Sequence, residues 1–155
     1  MVRVLFVCLG NICRSPMAEA VFQRMVDEAR LSERVQVDSA GTSSYHVGEP
    51  AHPGTRRVLS RHGINYSGRA RQIAAGDVAD ETTYLVAMDS ENLAELRSRF
   101  GDDVPHLHRL LEFATQTTVH DVPDPYYSDN FDYVYRIVED GCRGLLATIR
   151  RNEGL

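Results

Sequence analysis

The chain has 155 residues, a mass of 17.4 kDa and a formal net charge of −5. A hydrophobic fraction of 43% with 25% charged residues suits a globular domain and excludes a disordered or collagen-like chain. All 17 basic residues are arginine, which excludes every mechanism that needs a lysine: a Schiff base, a pyridoxal anchor, a Walker-type phosphate loop. An anion must here be gripped by arginine, by backbone N–H groups or by a metal. The acidic balance, with a pI near 5.6, speaks against nucleic acid as a partner. No run approaches the ~20 apolar residues of a membrane span, and no secretory leader is visible. Three cysteines, Cys8, Cys13 and Cys142, are a poor disulfide framework and fit a reduced, cytoplasmic protein.

Val2–Cys8 is a nearly continuous β-branched and aromatic run, as a central parallel strand buried on both faces requires. Apolar residues then fall at Ala18, Val21, Phe22, Met25, Val26 and Ala29, the stripe of one helix face, with Ser15-Pro16 as cap and first turn. Val35–Ser39 reads as a second strand. Thr55–His62 reads as a helix stopped by Gly63, with His62 at its C-terminal end. Tyr84–Met88 is a third strand. Ser90 caps a helix carrying Leu93, Leu96 and Phe100, and a fourth strand lies within Val104–Leu111. Phe131–Ile149 is the last helix, with Tyr133, Tyr135 and Cys142 as packing groups within it. Strands alternating with helices predict an α/β fold: a single domain over 1–155, with a four-stranded parallel sheet in the order 2-1-3-4, doubly wound, with helices on both faces. Ligands of such sheets bind beyond the carboxyl ends of the strands.

The first strand ends in Cys8-Leu9-Gly10-Asn11-Ile12-Cys13-Arg14-Ser15-Pro16. A strand-to-helix turn points several backbone N–H groups into one small space, and the helix end adds partial positive charge. Gly10 allows close approach or positive φ, and Asn11 tolerates left-handed geometry. The result is an anion nest of phosphate size. Residues 9–15 supply its N–H groups, and the Arg14 fork matches phosphate oxygens in pairs. A thiol at a helix N-terminus beside an arginine is favoured as the thiolate, so Cys8 reads as a nucleophile that accepts a phosphoryl group. Half of a metal site is the competing reading of Cys8 and Cys13. No second cysteine or histidine pair has ligand spacing, and an adjacent arginine repels cations, so neither a metal nor another cofactor is expected.

Three separated motifs, Cys8–Pro16, Asp38-Ser39-Ala40-Gly41-Thr42 and Asp124-Pro125-Tyr126-Tyr127, make the chain resemble a low-molecular-weight protein tyrosine phosphatase. The resemblance runs from residue 2 to about residue 150. It implies a phosphocysteine on Cys8, transition-state binding by Arg14 and general-acid work by Asp124. It also implies loop support from Asn11, Ser15 and Ser39, and an aryl slot walled by Leu9, Ile12, Tyr45, Tyr126 and Tyr127. The implied partners are phosphotyrosine proteins or peptides, with phosphate and other oxyanions as inhibitors. Relatives that act on phosphoarginine tend to carry a small threonine where Ile12 stands, so Ile12 favours phosphotyrosine. Cys13 either packs or closes a reversible disulfide with Cys8, as in some relatives. Where the family often has a loop-bracing histidine this chain has Gly68, which is expected to leave the bracing network incomplete or water-filled. Two rival functions fare worse. A thioredoxin-coupled arsenate reductase needs relay cysteines that residues 82–100 lack, and a silent phosphotyrosine-binding module would lack Cys8 or Asp124.

Overall fold

The computed structural model describes residues 1–155. Four parallel strands, β1 (Val2–Cys8), β2 (Val35–Gly41), β3 (Thr83–Ala87) and β4 (Leu107–Arg109), form one sheet in the order β2-β1-β3-β4. Strand β1 is central: Leu5 faces Asp38 on one side and Leu85 on the other. All its residues except Arg3 are buried, which is why its sequence is an apolar run rather than an alternation.

Helices cover both faces unequally. Val2, Val4, Phe6 and Cys8 point into a core of 31 residues beneath α1 (Arg14–Glu28), α2 (Pro53–Arg61) and α5 (Phe131–Glu153). Phe6 meets Phe22 edge-on at 5.5 Å there, and full burial of one such ring stabilises by roughly 1.5–3 kcal/mol. Leu5 and Val7 point to the other face, into a smaller group of 7 residues that includes Leu96 of α4 (Ser90–Phe100). A short α3 (Ala75–Ala79), which carries no periodicity signal in the sequence, flanks the same side. No helix is long and apolar enough to cross a membrane.

The element boundaries differ from the sequence expectation where side chains are needed elsewhere. Ser15 does not cap α1; the helix begins at Arg14, and Ser15 is fully buried with its hydroxyl committed to the loop. Asp89, not Ser90, caps α4, accepting from the Asn92 amide at 2.7 Å. Helix α2 starts two residues early because His52 accepts from the Gly54 amide and Pro53 fits the first turn. His62 closes that helix and stacks on Tyr135 at 3.9 Å. Strand β4 is cut to three residues because a 3₁₀ turn, Leu110–Phe113, follows at once and lies on α5. Gly144 makes that approach possible, since a Cβ there would fall within 1.7 Å of the Phe113 carbonyl. Asp140 then accepts from the amides of Thr115, Gln116 and Thr117, and so directs the chain toward residues 122–127. The carboxyl edge of the sheet thus gathers Cys8, Gly41, Asp89 and this last segment around one cavity.

Candidate active site

The cavity holds about 280 Å³ and is lined by Cys8, Leu9, Gly10, Ile12, Cys13, Arg14, Ser43, Tyr45, His46, Asp124, Tyr126 and Tyr127. At its floor the loop 9–13 wraps the Cys8 sulfur. Asn11 adopts φ of +58°, the left-handed geometry that lets its amide turn back and donate to Cys8 Sγ at 3.3 Å. Gly10 keeps negative φ; its value is space, because a Cβ there would lie 2.9 Å from the His46 ring. Gly41 serves likewise, since a Cβ would press within 2.8 Å of the Leu9 carbonyl. Both glycines let the loop pass close to its neighbours.

Behind the loop, the Asn11 amide nitrogen donates to Ser15 Oγ at 2.8 Å and to Ser39 Oγ at 3.0 Å, while its oxygen accepts from the Arg71 amide. Every polar atom of that buried side chain is therefore used. Ser15 Oγ stands 3.0 Å from Cys8 Sγ. Asn11, Ser15 and Ser39 thus lie behind the cavity rather than in it. The network is complete, contrary to the expectation raised by Gly68: Ser39 and Tyr66 both donate to Glu19, and the Tyr66 hydroxyl occupies the space a side chain at 68 would take.

Arg14 is the one buried arginine at the cavity, its side chain 4% exposed. Nη1 donates to Asp89 Oδ2 at 2.5 Å and to the Val122 carbonyl at 2.9 Å. Nη2 lies 3.7 Å from Asp124 Oδ2. One edge of the guanidinium is fixed from behind and the other faces the cavity, a preorganised anion site. Asp124 is 44% exposed at its side chain and is itself aimed by the Tyr126 amide, which donates to its Oδ1 at 3.0 Å. Burial, with the nearby charges of Asp124 and Cys8, pushes the Cys13 thiol up to about 12, so Cys13 stays protonated at neutral pH. Cys142 is wholly buried; its thiol donates weakly to the Ala18 carbonyl and burial raises it as well.

The rim is aromatic. Tyr126 and Tyr127 meet edge-on at 4.7 Å, His52 approaches Tyr126 at 5.6 Å, and Tyr45 packs on His46 at 4.7 Å. Tyr45 and Tyr127 stand out into solvent, whereas Ile12 is buried in the wall. Of the residues named from the sequence, Cys8, Leu9, Gly10, Ile12, Cys13, Arg14, Tyr45, Asp124, Tyr126 and Tyr127 converge on this cavity. Asp89, His46, Glu19, Tyr66 and Arg71 escaped notice. Each acts through a partner 20 or more residues away or, for His46, through a loop of irregular backbone, and no local pattern marks them. No cluster of three or more His, Cys, Asp or Glu side chains is placed to hold a metal.

Residues 3–154 match the family described as low molecular weight phosphotyrosine protein phosphatase. The chain belongs to this family. Over 157 residues, with both chains covered in full, it is 45% identical to the low molecular weight protein-tyrosine-phosphatase YfkJ of Bacillus subtilis. The crystal structure of YfkJ matches the fold with a TM-score of 0.93 over 98% of this chain and 96% of that one. The Staphylococcus aureus phosphatase PtpA is 40% identical, with 100% of this chain and 98% of that protein covered. A protein tyrosine phosphatase of Entamoeba histolytica, crystallised with Hepes in its active site, is 37% identical with a TM-score of 0.90 and 99% of both chains covered. The protein is accordingly a protein tyrosine phosphatase, a hydrolase acting on phosphoproteins through a phosphate-binding loop.

Proposed function

We propose that residues 1–155 act as one phosphatase unit in which Cys8 is the nucleophile, Arg14 the phosphate clamp and Asp124 the general acid. The observation that carries this is the arrangement around one small cavity: a sulfur at the floor that accepts from the Asn11 amide and lies against Ser15, with Asp124 3.7 Å from the free edge of Arg14. In the first step the Cys8 thiolate attacks phosphorus. The S–P bond forms, the P–O bond to the aryl group breaks, and Asp124 gives its proton to the departing phenolate. A phenol has a pKa of about 10, so unassisted departure is slow, and a positioned acid is worth roughly 10²–10⁴-fold. In the second step Asp124 takes a proton from water, the new O–P bond forms, the S–P bond breaks, and phosphate leaves with the thiolate restored. Charge on the equatorial oxygens is held by Arg14 and the N–H groups of residues 9–15.

The depth of the nest and its walls of Leu9, Ile12, Tyr45, Tyr126 and Tyr127 favour phosphotyrosine in a protein or peptide. A phosphoserine is too short to reach the sulfur without carrying its backbone into the cavity. Phosphate and other oxyanions compete for the nest, in keeping with the sulfonate buffer bound by the Entamoeba relative. The net charge of −5 offers no general hold on nucleic acid or an anionic membrane, and three free thiols suit the cytoplasm. The test is hydrolysis of a series of aryl phosphates and a phosphotyrosine peptide. Cys8→Ser should abolish turnover. Asp124→Asn should lower kcat steeply for poor leaving groups and little for good ones. Equal losses across the series would remove Asp124 from the role of acid.

A further inference from the structure

Asn11 holds the phosphate loop, and the chain of contacts behind it ends at Tyr66. The phenol donates to Glu19 Oε1 at 2.8 Å, and Ser39 Oγ donates to the same oxygen at 2.5 Å. Ser39 in turn accepts one hydrogen of the Asn11 amide, while the other goes to Ser15. With its oxygen already accepting from Asn11, the Ser15 hydroxyl has its own hydrogen free for Cys8 Sγ at 3.0 Å. The phenol reaches Glu19 only because residue 68 is glycine. A Cβ there would lie 2.4 Å from the Tyr66 hydroxyl and 2.6 Å from the ring carbon that bears it.

We propose that Tyr66 is a positioning residue for the phosphatase reaction: its hydroxyl keeps Glu19 an acceptor, which fixes Ser39 and Asn11 and leaves the Ser15 hydrogen to Cys8. The electrostatics agree in direction. Burial pushes the Glu19 carboxyl up, and the donors Ser39 and Tyr66 oppose that; Asp38 adds to the rise and Arg71 lowers it. A hydrogen taken up on Glu19 would compete with Asn11 for the Ser39 oxygen. Tyr66 cannot itself supply that hydrogen in the neutral range, because burial and then Glu19 raise the phenol well above its ordinary value.

The inference rests on Cys8 being the nucleophile, so Cys8→Ser is measured beside it. The test compares Tyr66→Phe, Glu19→Gln and the double variant in the full chain, reading kcat and KM for an aryl phosphate from pH 5 to 8. Tyr66→Phe keeps the ring and removes one hydrogen bond. It should lower kcat about 3- to 10-fold with KM changed less than twofold. Its acid limb should move to higher pH, because Glu19 without its second donor takes up a proton sooner. The double variant should lose no more than Glu19→Gln alone, since the two side chains act in series. A Tyr66→Phe enzyme with wild-type kcat and an unmoved acid limb overturns the proposal, as do losses that multiply in the double variant. Turnover surviving in Cys8→Ser would instead overturn the reading of the site.

Discussion

Replacing Asp89 with alanine removes the N-cap of α4 and the closest anion of a buried guanidinium in one step. Loss of the cap costs about 0.5–2 kcal/mol. Breaking a buried ion pair by deleting one partner costs about 3–5 kcal/mol. Here Asp89 is 16% exposed at its side chain and the cavity admits water, and Arg14 keeps the Val122 carbonyl, so about 2–3 kcal/mol fits better. The sum is about 3–5 kcal/mol, and at roughly 2–4 °C per kcal/mol for a chain of this size Tm should fall by about 6–20 °C. Asp89→Asn can keep the cap through its one carbonyl oxygen but turns an amide NH2 toward Nη1 where Oδ2 accepted, so it should recover the cap's contribution of about 0.5–2 kcal/mol and little of the ion pair. Held from behind by the Val122 carbonyl alone, the Arg14 fork is aimed less firmly at the phosphoryl oxygens, and kcat/KM for Asp89→Ala should drop on the order of 10²-fold. Calorimetry and hydrolysis of one aryl phosphate measure both effects. Equal Tm values for Asp89→Asn and wild type, with kcat/KM within threefold of wild type, would refute the view that Asp89 positions Arg14.

The cysteines should separate chemically. Iodoacetamide at pH 7.5 should modify Cys8 alone, because Cys13 is pushed up to about 12 and Cys142 has no access; Cys13 labelled at a comparable rate would contradict this. Under mild peroxide Cys8 should oxidise to the sulfenic acid; the Cys13 sulfur then attacks that sulfur, the S–O bond breaks, the hydroxyl leaves with the thiol proton as water, and a disulfide closes. Mass spectrometry should find the bridge, and Cys8 oxidised irreversibly beside an untouched Cys13 would rule it out. At Asp77 burial works against ionisation, but hydrogen bonds from Arg71, the Ala74 amide and Arg3 outweigh it and bring the carboxyl to about 2. A carboxyl lower in the folded than in the unfolded chain stabilises above the unfolded value of about 4, and that gain fades as pH falls toward 2. Urea titrations should show about 2 kcal/mol of acid-dependent stability between pH 5 and 2, much reduced in Asp77→Asn.

Much of this protein is legible from short-range signals. The apolar run Val2–Cys8 can only be a strand buried on both faces, and the stripe from Ala18 to Ala29 can only be a helix packed on one side. The loop between them carries its chemistry within eight consecutive residues, so spacing alone brings Cys8, Asn11, Arg14 and Ser15 together. The absence of lysine was informative for the same reason: phosphate must be held by backbone, helix end and arginine, and all three lie in one stretch.

What only the tertiary structure decided is how that stretch is held. Asp89 reaches Arg14 across 75 positions, Tyr66 reaches Glu19 across 47, and the Arg71 amide reaches Asn11 across 60. A hydrogen bond leaves no trace of its partner in the local pattern, so nothing near Asp89 or Tyr66 marks either residue, and Gly68 reads as a missing brace. Folding brings Asp89, Tyr66 and the Arg71 amide within about 3 Å of their partners, and partial shielding from solvent makes each contact count. In water such contacts would be exchanged at little cost. Behind the loop, where solvent access is reduced, they fix Asn11 and Arg14, the groups that hold the cavity around the Cys8 sulfur.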